Sequence, residues 1–107
     1  TEAMDMDHQP SFAALKAYEE RKLGRKLTKQ EAQKLKNDGF AVALPREIHR
    51  KTSPTYGGRN TKQRILKDSM NLKRAKMRDR RISNGELRKR ARNNRTTTSR
   101  KRQRRRK

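Results

Sequence analysis

Apolar residues near the start of the chain recur at helical spacing. They are Phe12, Leu15, Tyr18 and Leu23. Intervals of three to five residues place such side chains on one face of an α-helix. Ser11 precedes the run and has the side chain of a good N-cap, and Gly24 ends it. The pattern therefore predicts a helix over residues 12–23.

A second helix is predicted by its cap. Thr28 and Glu31 form a capping box, in which the hydroxyl and the carboxylate each satisfy a free backbone N–H. Leu27 and Ala32 flank the box as a hydrophobic staple. Residues 37–39, Asn-Asp-Gly, are a strong turn signal. The helix is therefore expected to stop there.

Residues 40–44, Phe-Ala-Val-Ala-Leu, are an apolar run typical of a strand, and Pro45 closes it. Residues 3–9 are short and predict a loop or a strand. Residues 45–60 contain two prolines and two glycines. They predict a loop or a short helix followed by an irregular segment.

The last part of the chain has few apolar residues. A longer helix is predicted from Thr61, and Ser83–Glu86 has the composition of a cap for another helix. The apolar stripe of the longer helix is Ile65, Leu66, Met70, Leu72, Ala75 and Met77.

The composition points to a polyanionic partner. The 107 residues carry a net charge of +22, only 27% of them are hydrophobic, and four are aromatic. Such a chain binds phosphate backbones through counterion release, and its core is small. There is no cysteine, which excludes disulfides and thiolate zinc sites. No apolar run approaches membrane-spanning length, and the start at Thr1 suggests a domain from a longer polypeptide.

The charge is concentrated in the second part. Residues 1–40 carry eight basic and seven acidic residues, whereas residues 41–107 carry 25 basic and four acidic residues. Residues 88–107 hold twelve Lys or Arg and no acid, a composition expected to be disordered when free. We therefore divide the chain into a folded domain, residues 1–87, and a polybasic tail, residues 88–107.

Asp7 and His8 are candidates for phosphodiester chemistry. A carboxylate can hold a divalent cation while a neighbouring neutral imidazole takes a proton from the attacking water. An adjacent Asp-His pair also occurs by chance in solvated loops. The order of the surrounding motifs strengthens the catalytic interpretation of the pair. Asp7–Ser11 is followed by an Asn-containing turn and strand over 37–45, then by His49, then by Thr55–Asn60.

This order resembles the HNH, or His-Me finger, endonucleases. In particular it is similar to the C-terminal nuclease domains of bacterial polymorphic toxins, which terminate Rhs-type and contact-dependent-inhibition effectors. The resemblance covers roughly residues 3–75. It implies an α+β fold, a small, mostly helical domain around a ββα-metal core, and it does not extend to the basic tail. In this chain two predicted helices fill the interval between His8 and Asn37.

The resemblance also implies roles for individual residues. His8 is expected to be the general base, and Asp7 a metal ligand at the end of the first strand. His49 is expected to be the second ligand, with Asn60 as the competing candidate, so that the catalytic set is His8, Asp7 and His49. Asn37 is expected to brace the loop between the strands. Simpler interpretations stay open, since His49 can cap a helix or lie on the surface and Asn60 can be a helix-start residue.

Basic residues near His49 are placed to hold phosphate oxygens, and Tyr56 can stack on a base or sugar or belong to the core. The candidate nucleic-acid-binding residues are Arg50, Lys51, Tyr56, Arg59, Lys62 and Arg64. Gly57 and Gly58 would let the backbone approach a phosphate closely. The basic run at 100–107 is a nonspecific phosphate binder or a localisation-like signal.

The resulting expectation is a metal-dependent endonuclease toxin that hydrolyses phosphodiester bonds, in DNA rather than RNA and with little sequence specificity. Mg²⁺ is the expected ion, and Mn²⁺, Zn²⁺ or Ni²⁺ also suits a His/Asp site. The expected protein partner is an acidic immunity protein, attracted by charge. The expected location is that of a secreted effector domain delivered to the cytoplasm of a target bacterium.

Two other functions compete with this one. The first is a metal-independent ribonuclease, in which His8 and His49 act as an acid–base pair on the ribose 2′-hydroxyl of tRNA or rRNA. The second is a basic nucleic-acid-binding module without catalysis. Chelation by EDTA separates the first from the metal-dependent reaction, and the absence of cleavage identifies the second.

Overall fold

The computed structural model describes the backbone of residues 2–105 and the side chains of residues 2–95. The chain is α+β and mostly helical, as the sequence predicts. The elements in order are β1 (Met4–His8), α1 (Phe12–Leu23), α2 (Lys29–Asp38), β2 (Ala41–Pro45), α3 (Arg46–Thr52), a 3₁₀ turn (Gly57–Arg59), α4 (Lys62–Met70) and α5 (Leu72–Arg105).

The two strands form an antiparallel sheet, in which Met4 pairs with Pro45 and His8 with Ala41. Helices α1 and α2 are inserted between the strands, and α3 begins directly after β2. Helix α3 packs against both strands and against α5. The chain therefore contains the strand–strand–helix unit that the resemblance implies, with α3 as its helix.

The caps of the first two helices confirm the sequence prediction. Ser11 Oγ accepts from Ala14 N at the start of α1, and Gly24 ends that helix with φ 72°. Thr28 and Glu31 form both hydrogen bonds of the capping box at the start of α2. Because such contacts join residues three positions apart, a short sequence pattern is enough to predict them.

The single helix predicted from Thr61 is wrong, because the chain forms two helices that meet at Asn71. Asn71 Oδ1 accepts from Arg74 N at 3.1 Å and so caps α5. The predicted apolar stripe is divided between the two helices. Ala75 is buried, whereas Leu66, Met70 and Met77 are exposed.

The helix start predicted at 83–86 is also wrong, because α5 runs through it without interruption. Ser83 Oγ donates to Arg80 O one turn earlier instead of capping a new helix. The boundary placed after residue 87 therefore lies within α5. The side chains of residues 96–107, most of the tail that is expected to be disordered when free, lie outside the described residues. Within the described chain, no helix combines the length and apolarity needed to cross a bilayer.

The interior is polar for so small a domain. Among residues 2–95 the buried apolar side chains are Ala14, Leu44, Ile48 and Ala75, together with Pro10 and Pro45. The buried polar or charged side chains are Asp7, Gln9, Ser11, Ser53, Asp68, Ser69, Asp79 and Ser83. Buried polar groups are costly unless they are hydrogen-bonded. The hydrogen bonds of Gln9 with Asp7 and Ser83, which join β1 to α5, therefore contribute to the stability of the fold.

Candidate active site

Alternation along β1 sorts its side chains into two sets. Successive residues of a strand point to opposite faces of the sheet. Asp5 and Asp7 therefore share one face, and Gln9 continues it just after the strand. His8 leaves the strand on the other face, so the adjacent Asp7 and His8 do not point the same way.

His49 on α3 lies between the two aspartates of β1. Its Nδ1 is 2.9 Å from Asp5 Oδ2 and its Nε2 is 3.4 Å from Asp7 Oδ1. All three side chains are largely buried, with exposed fractions of 15% for His49, 20% for Asp5 and 9% for Asp7. The fold thus joins Asp7 to His49, two residues that the sequence singled out, and adds Asp5 to them.

Asp5 is a site residue that the sequence interpretation missed. His49 and Arg46 donate hydrogen bonds to its carboxylate, the latter from Nε at 3.0 Å. The His49 hydrogen bond, followed by that of Arg46, lowers the pKa of Asp5 below its ordinary value. Arg50 Nε lies 4.0 Å from the same carboxylate. The Asp-x-Asp spacing in a strand was the signal that could have identified it.

Gln9, also missed, holds the other oxygen of Asp7. Its side chain is fully buried, and Nε2 donates to Asp7 Oδ2 and to Ser83 Oγ, each at 3.1 Å. With Oδ2 held by this amide, Asp7 presents Oδ1 to His49. The contact with Ser83 ties the end of β1 to α5 across 74 residues of sequence.

Asp7 and His49 have the spacing of two neighbouring ligands of one ion, since ligand atoms about 2.1 Å from Mg²⁺ lie roughly 3 Å apart in an octahedron. The nitrogens of an imidazole point in opposite directions, so Asp5 cannot join them. Accordingly, no three His, Asp or Glu side chains in the described part of the chain form a metal cluster. Two protein ligands suit Mg²⁺, which keeps several waters and is completed by substrate phosphates.

His8 occupies a different environment. Its Nε2 donates to the carbonyl oxygen of Lys36, near the end of α2, at 2.9 Å. Because a carbonyl only accepts, Nε2 carries the proton and the lone pair of the neutral ring is on Nδ1. The ring lies against Gly39, where a Cβ would be 3.3 Å from His8 Cδ2.

Asn60 and Asn37 form hydrogen bonds away from Asp7 and His49. Asn60 Nδ2 donates to Ser11 Oγ at 3.4 Å, while its Oδ1 is buried and has no partner among the described residues. Asn37 lies in α2, and its Oδ1 accepts from Gln33 Nε2 on the surface. Asn37 was expected to brace the loop between the strands. The hydrogen bond that joins this part of the chain to β1 is instead the one from His8 Nε2 to the Lys36 carbonyl.

Two of the candidate nucleic-acid-binding residues support α3. Tyr56 packs its ring edge-on against His49, with centroids 5.2 Å apart, and is 37% exposed. Arg59 donates to the carbonyl oxygens of Arg50 and Lys51 at the end of α3, and its guanidinium lies over Tyr56. These contacts hold the His49 ring in place between the carboxylates.

The side chains of the other basic candidates do not contact His49. Arg50 is about half exposed, and Lys51 pairs with Glu47 on the surface of α3. Lys62 is exposed and Arg64 partly so, in the first turn of α4. Surface ion pairs of this kind are weak, so these cations are available to an incoming phosphate.

Comparison with known proteins adds an informative relative. No protein-family model matches the chain, and no solved structure matches it. The chain is similar to deoxyribonuclease CdiA of Dickeya dadantii (strain 3937), with 44% identity over 78 residues. The matched segment is 73% of this chain and 2% of that relative, so the chain spans only a small part of its length.

Proposed function

We propose that this domain is a metal-dependent DNA endonuclease, the toxic nuclease domain of a contact-dependent-inhibition or related polymorphic-toxin effector. The similarity to deoxyribonuclease CdiA supports a DNA-cleaving toxin. The strand–strand–helix unit with Asp7 and His49 on its inner face supports the HNH, or ββα-metal, type. The observation that carries the proposal is the 3.4 Å separation of Asp7 Oδ1 and His49 Nε2.

The residues around this pair are arranged to present it. Asp5 accepts a hydrogen bond from His49 Nδ1–H, so Nε2 is the nitrogen free to bind a metal, an arrangement common in metal sites. Gln9 holds the second oxygen of Asp7. When bound by Asp7 and His49, a divalent cation supplies a Lewis acid that polarises the scissile phosphate and stabilises the leaving oxygen. Mg²⁺ is the proposed ion, with Mn²⁺, Zn²⁺ or Ni²⁺ as substitutes.

His8 is the proposed general base. Its Nδ1 lone pair takes the proton of the attacking water, while Nε2 stays bonded to the Lys36 carbonyl. That carbonyl fixes the ring and stabilises the imidazolium that proton uptake produces. Arg46 and Arg50, which flank Asp5 and are about half exposed, are positioned to hold phosphate oxygens.

Charge accounts for the proposed substrate and partner. A net charge of +22 on 107 residues gives tight, salt-sensitive binding to nucleic-acid backbones with little reading of sequence. A nuclease toxic to the cell that makes it requires a neutralising protein. We infer an acidic immunity protein that covers the basic surface, and delivery of the domain into the cytoplasm of a target bacterium.

The geometry favours this reaction over the two alternatives. An acid–base pair of His8 and His49 requires a nitrogen of His49 that exchanges a proton with the substrate, whereas its Nδ1 faces Asp5 and its Nε2 faces Asp7. A module that only binds nucleic acid gives no reason for the buried Asp5–His49–Asp7 arrangement, because it places two carboxylates where a phosphate binder needs positive charge.

The test is digestion of plasmid DNA and of total RNA by the parent domain, His8→Ala and Asp7→Ala, with Mg²⁺ and with EDTA. The parent is expected to cut DNA only with the metal, and both variants are expected to lose cleavage while they still shift DNA in a gel. Glu19→Ala, a change on α1 outside the site, is the control. Cleavage that survives EDTA, or a fully active His8→Ala, contradicts the proposal.

A further inference from the structure

Outside the Asp7–His49 pair, an exposed aromatic ring lies beneath two cations of α5. Lys76 Nζ is 4.0 Å from the centre of the Phe40 ring, and Arg80 Cζ is 5.8 Å from it. Lys76 and Arg80 are four residues apart and therefore share one face of α5. Phe40 is nevertheless 43% exposed, so the contact does not bury the ring in the core.

These two cations have no acidic partner within the described residues, in contrast to their neighbour Arg78. Arg78 binds both oxygens of Asp68 and also contacts Asp79. Among residues 2–95, no carboxylate lies within 4.0 Å of the charged group of Lys76 or Arg80. Neither group has an ion-pair partner among these residues, and both are available to an anion.

The cluster is adjacent to His8. The carbonyl of Phe40 accepts from Gln9 N at 3.0 Å, so Phe40 is held at the end of β1. Phe40, Lys76 and Gly39 line a shallow cavity of about 290 Å³. Gly39 also contacts the His8 ring. The cluster therefore lies on the His8 side of β1, away from Asp5.

We propose that Phe40, Lys76 and Arg80 form a subsite for a nucleotide next to the scissile bond of the DNA strand. The cations bind its phosphate and the ring packs against its sugar or base. Aromatic rings beside cations bind nucleic-acid strands in this way, independently of sequence. The inference rests on the proposed function and deepens it, because it adds a contact that holds the strand beside the general base.

The chain has no tryptophan, so Phe40→Trp introduces a single fluorophore into the subsite while it keeps an aromatic ring for Lys76 and Arg80. The variant is titrated with a short DNA oligonucleotide in EDTA, which prevents turnover. We expect saturable quenching of the indole emission that disappears at high salt. Leu23→Trp, at the exposed end of α1, is the control and is expected to change little. Unchanged emission of Phe40→Trp at DNA concentrations that shift all the protein in a gel overturns the proposal.

Kinetics provide a second test with the native phenylalanine at position 40. In the double variant Lys76→Ala/Arg80→Ala, the KM for plasmid cleavage is expected to rise about tenfold. The slope of log affinity against log salt concentration is expected to decrease by about two, which corresponds to two lost phosphate contacts. Arg74→Ala/Arg81→Ala removes the same charge from another face of the same helix, where both side chains line a different cavity. Equal effects of the two pairs contradict a subsite and indicate a general charge effect.

The outcomes separate this inference from the proposed function. If the parent domain cuts DNA but the emission of Phe40→Trp does not respond and the two double variants behave alike, only the subsite is wrong. If the parent cuts neither DNA nor RNA but DNA quenches the emission of Phe40→Trp, the nuclease proposal is wrong and the binding surface is retained.

Discussion

Asp5 Oδ2 accepts a hydrogen bond from His49 Nδ1 at 2.9 Å, across 44 residues of sequence. This bond fixes which nitrogen of His49 carries the proton and turns the other, Nε2, towards Asp7. The role of His49 therefore depends on a residue that does not itself reach the proposed metal position.

Asp5→Asn tests this dependence. The amide still accepts a hydrogen bond but lacks the charge that strengthens His49 as a ligand. We expect the Mn²⁺ dissociation constant, measured by calorimetry, to rise about tenfold, as for other residues that orient metal-binding histidines. Glu47→Gln removes the same charge from the exposed side of α3 and is expected to change binding little. Equal affinities of Asp5→Asn and Glu47→Gln would refute the role of Asp5.

Gly39→Ala tests the placement of His8. The φ of Gly39 is −66°, so the substitution causes no backbone strain. An added Cβ would lie 3.2 Å from Leu35 O and 3.3 Å from His8 Cδ2. We expect the imidazole to move away from the Lys36 carbonyl and cleavage to fall about tenfold, since small misplacements of reacting groups are costly.

The matched control for Gly39→Ala is Gly85→Ala in α5, where an added Cβ meets nothing within 4 Å. Its cleavage rate is expected to equal that of the parent. NMR of the His8 ring measures the displacement directly. An unchanged His8 signal in Gly39→Ala together with full activity would mean that the ring does not need this position.

Gln9→Glu tests the buried network. The substitution replaces an amide donor by a carboxylate beside Asp7, at a position with no solvent exposure. A buried acceptor without a donor costs about 1–3 kcal/mol, and a charge costs more, so we expect a loss of at least about 2 kcal/mol of unfolding free energy. Gln33→Glu makes the same change on the surface of α2 and is expected to stay within about 0.5 kcal/mol of the parent. Urea denaturation measures both.

Asp79→Asn tests a pH dependence. Burial raises the pKa of Asp79 to about 6, against the opposing contact with Arg78 and with a smaller contribution from the carboxylates of Asp7 and Asp68. A raised pKa means that the folded state favours the protonated acid. Its contribution to stability is therefore complete below about pH 3.8 and is lost as the pH rises through about 6.

The asparagine variant cannot ionise and lacks this loss. Between pH 4 and pH 7 the parent is therefore expected to lose roughly 2 kcal/mol of unfolding free energy relative to Asp79→Asn. Urea denaturation at a series of pH values measures the difference. Two profiles that stay parallel over this range would show that Asp79 is ionised in the folded state as readily as in the unfolded state.

The sequence predicted most of the fold where short-range contacts decide it. The capping box of Thr28 and Glu31 formed as expected, because its two hydrogen bonds join neighbouring residues. The errors at Asn71 and Ser83 have the opposite cause. Each side chain can form several different hydrogen bonds, and packing decides which of them form. Asn71 caps α5, while Ser83 accepts from Gln9 and donates to the Arg80 carbonyl within α5.

The candidate site was predicted in part. Asp7 and His49 were identified from their motifs and the fold brings them together, whereas Asp5 and Gln9 were missed although they share the strand face of Asp7. Their partners come from α3 and α5, and no local pattern shows which helix will cover a strand. The contact of His8 with the Lys36 carbonyl also depends on how α2 packs against β1.

The sequence by itself determined the first two helices, the second strand, the concentration of positive charge and the residue types that suit phosphodiester chemistry. Those features depend on side-chain preferences and contacts over a few residues. Only the tertiary structure decided that His49 lies between Asp5 and Asp7, that Gln9 joins Asp7 to Ser83, and that Phe40 lies under two cations of α5. These groups are tens of residues apart, so their meeting depends on the packing of whole helices and strands.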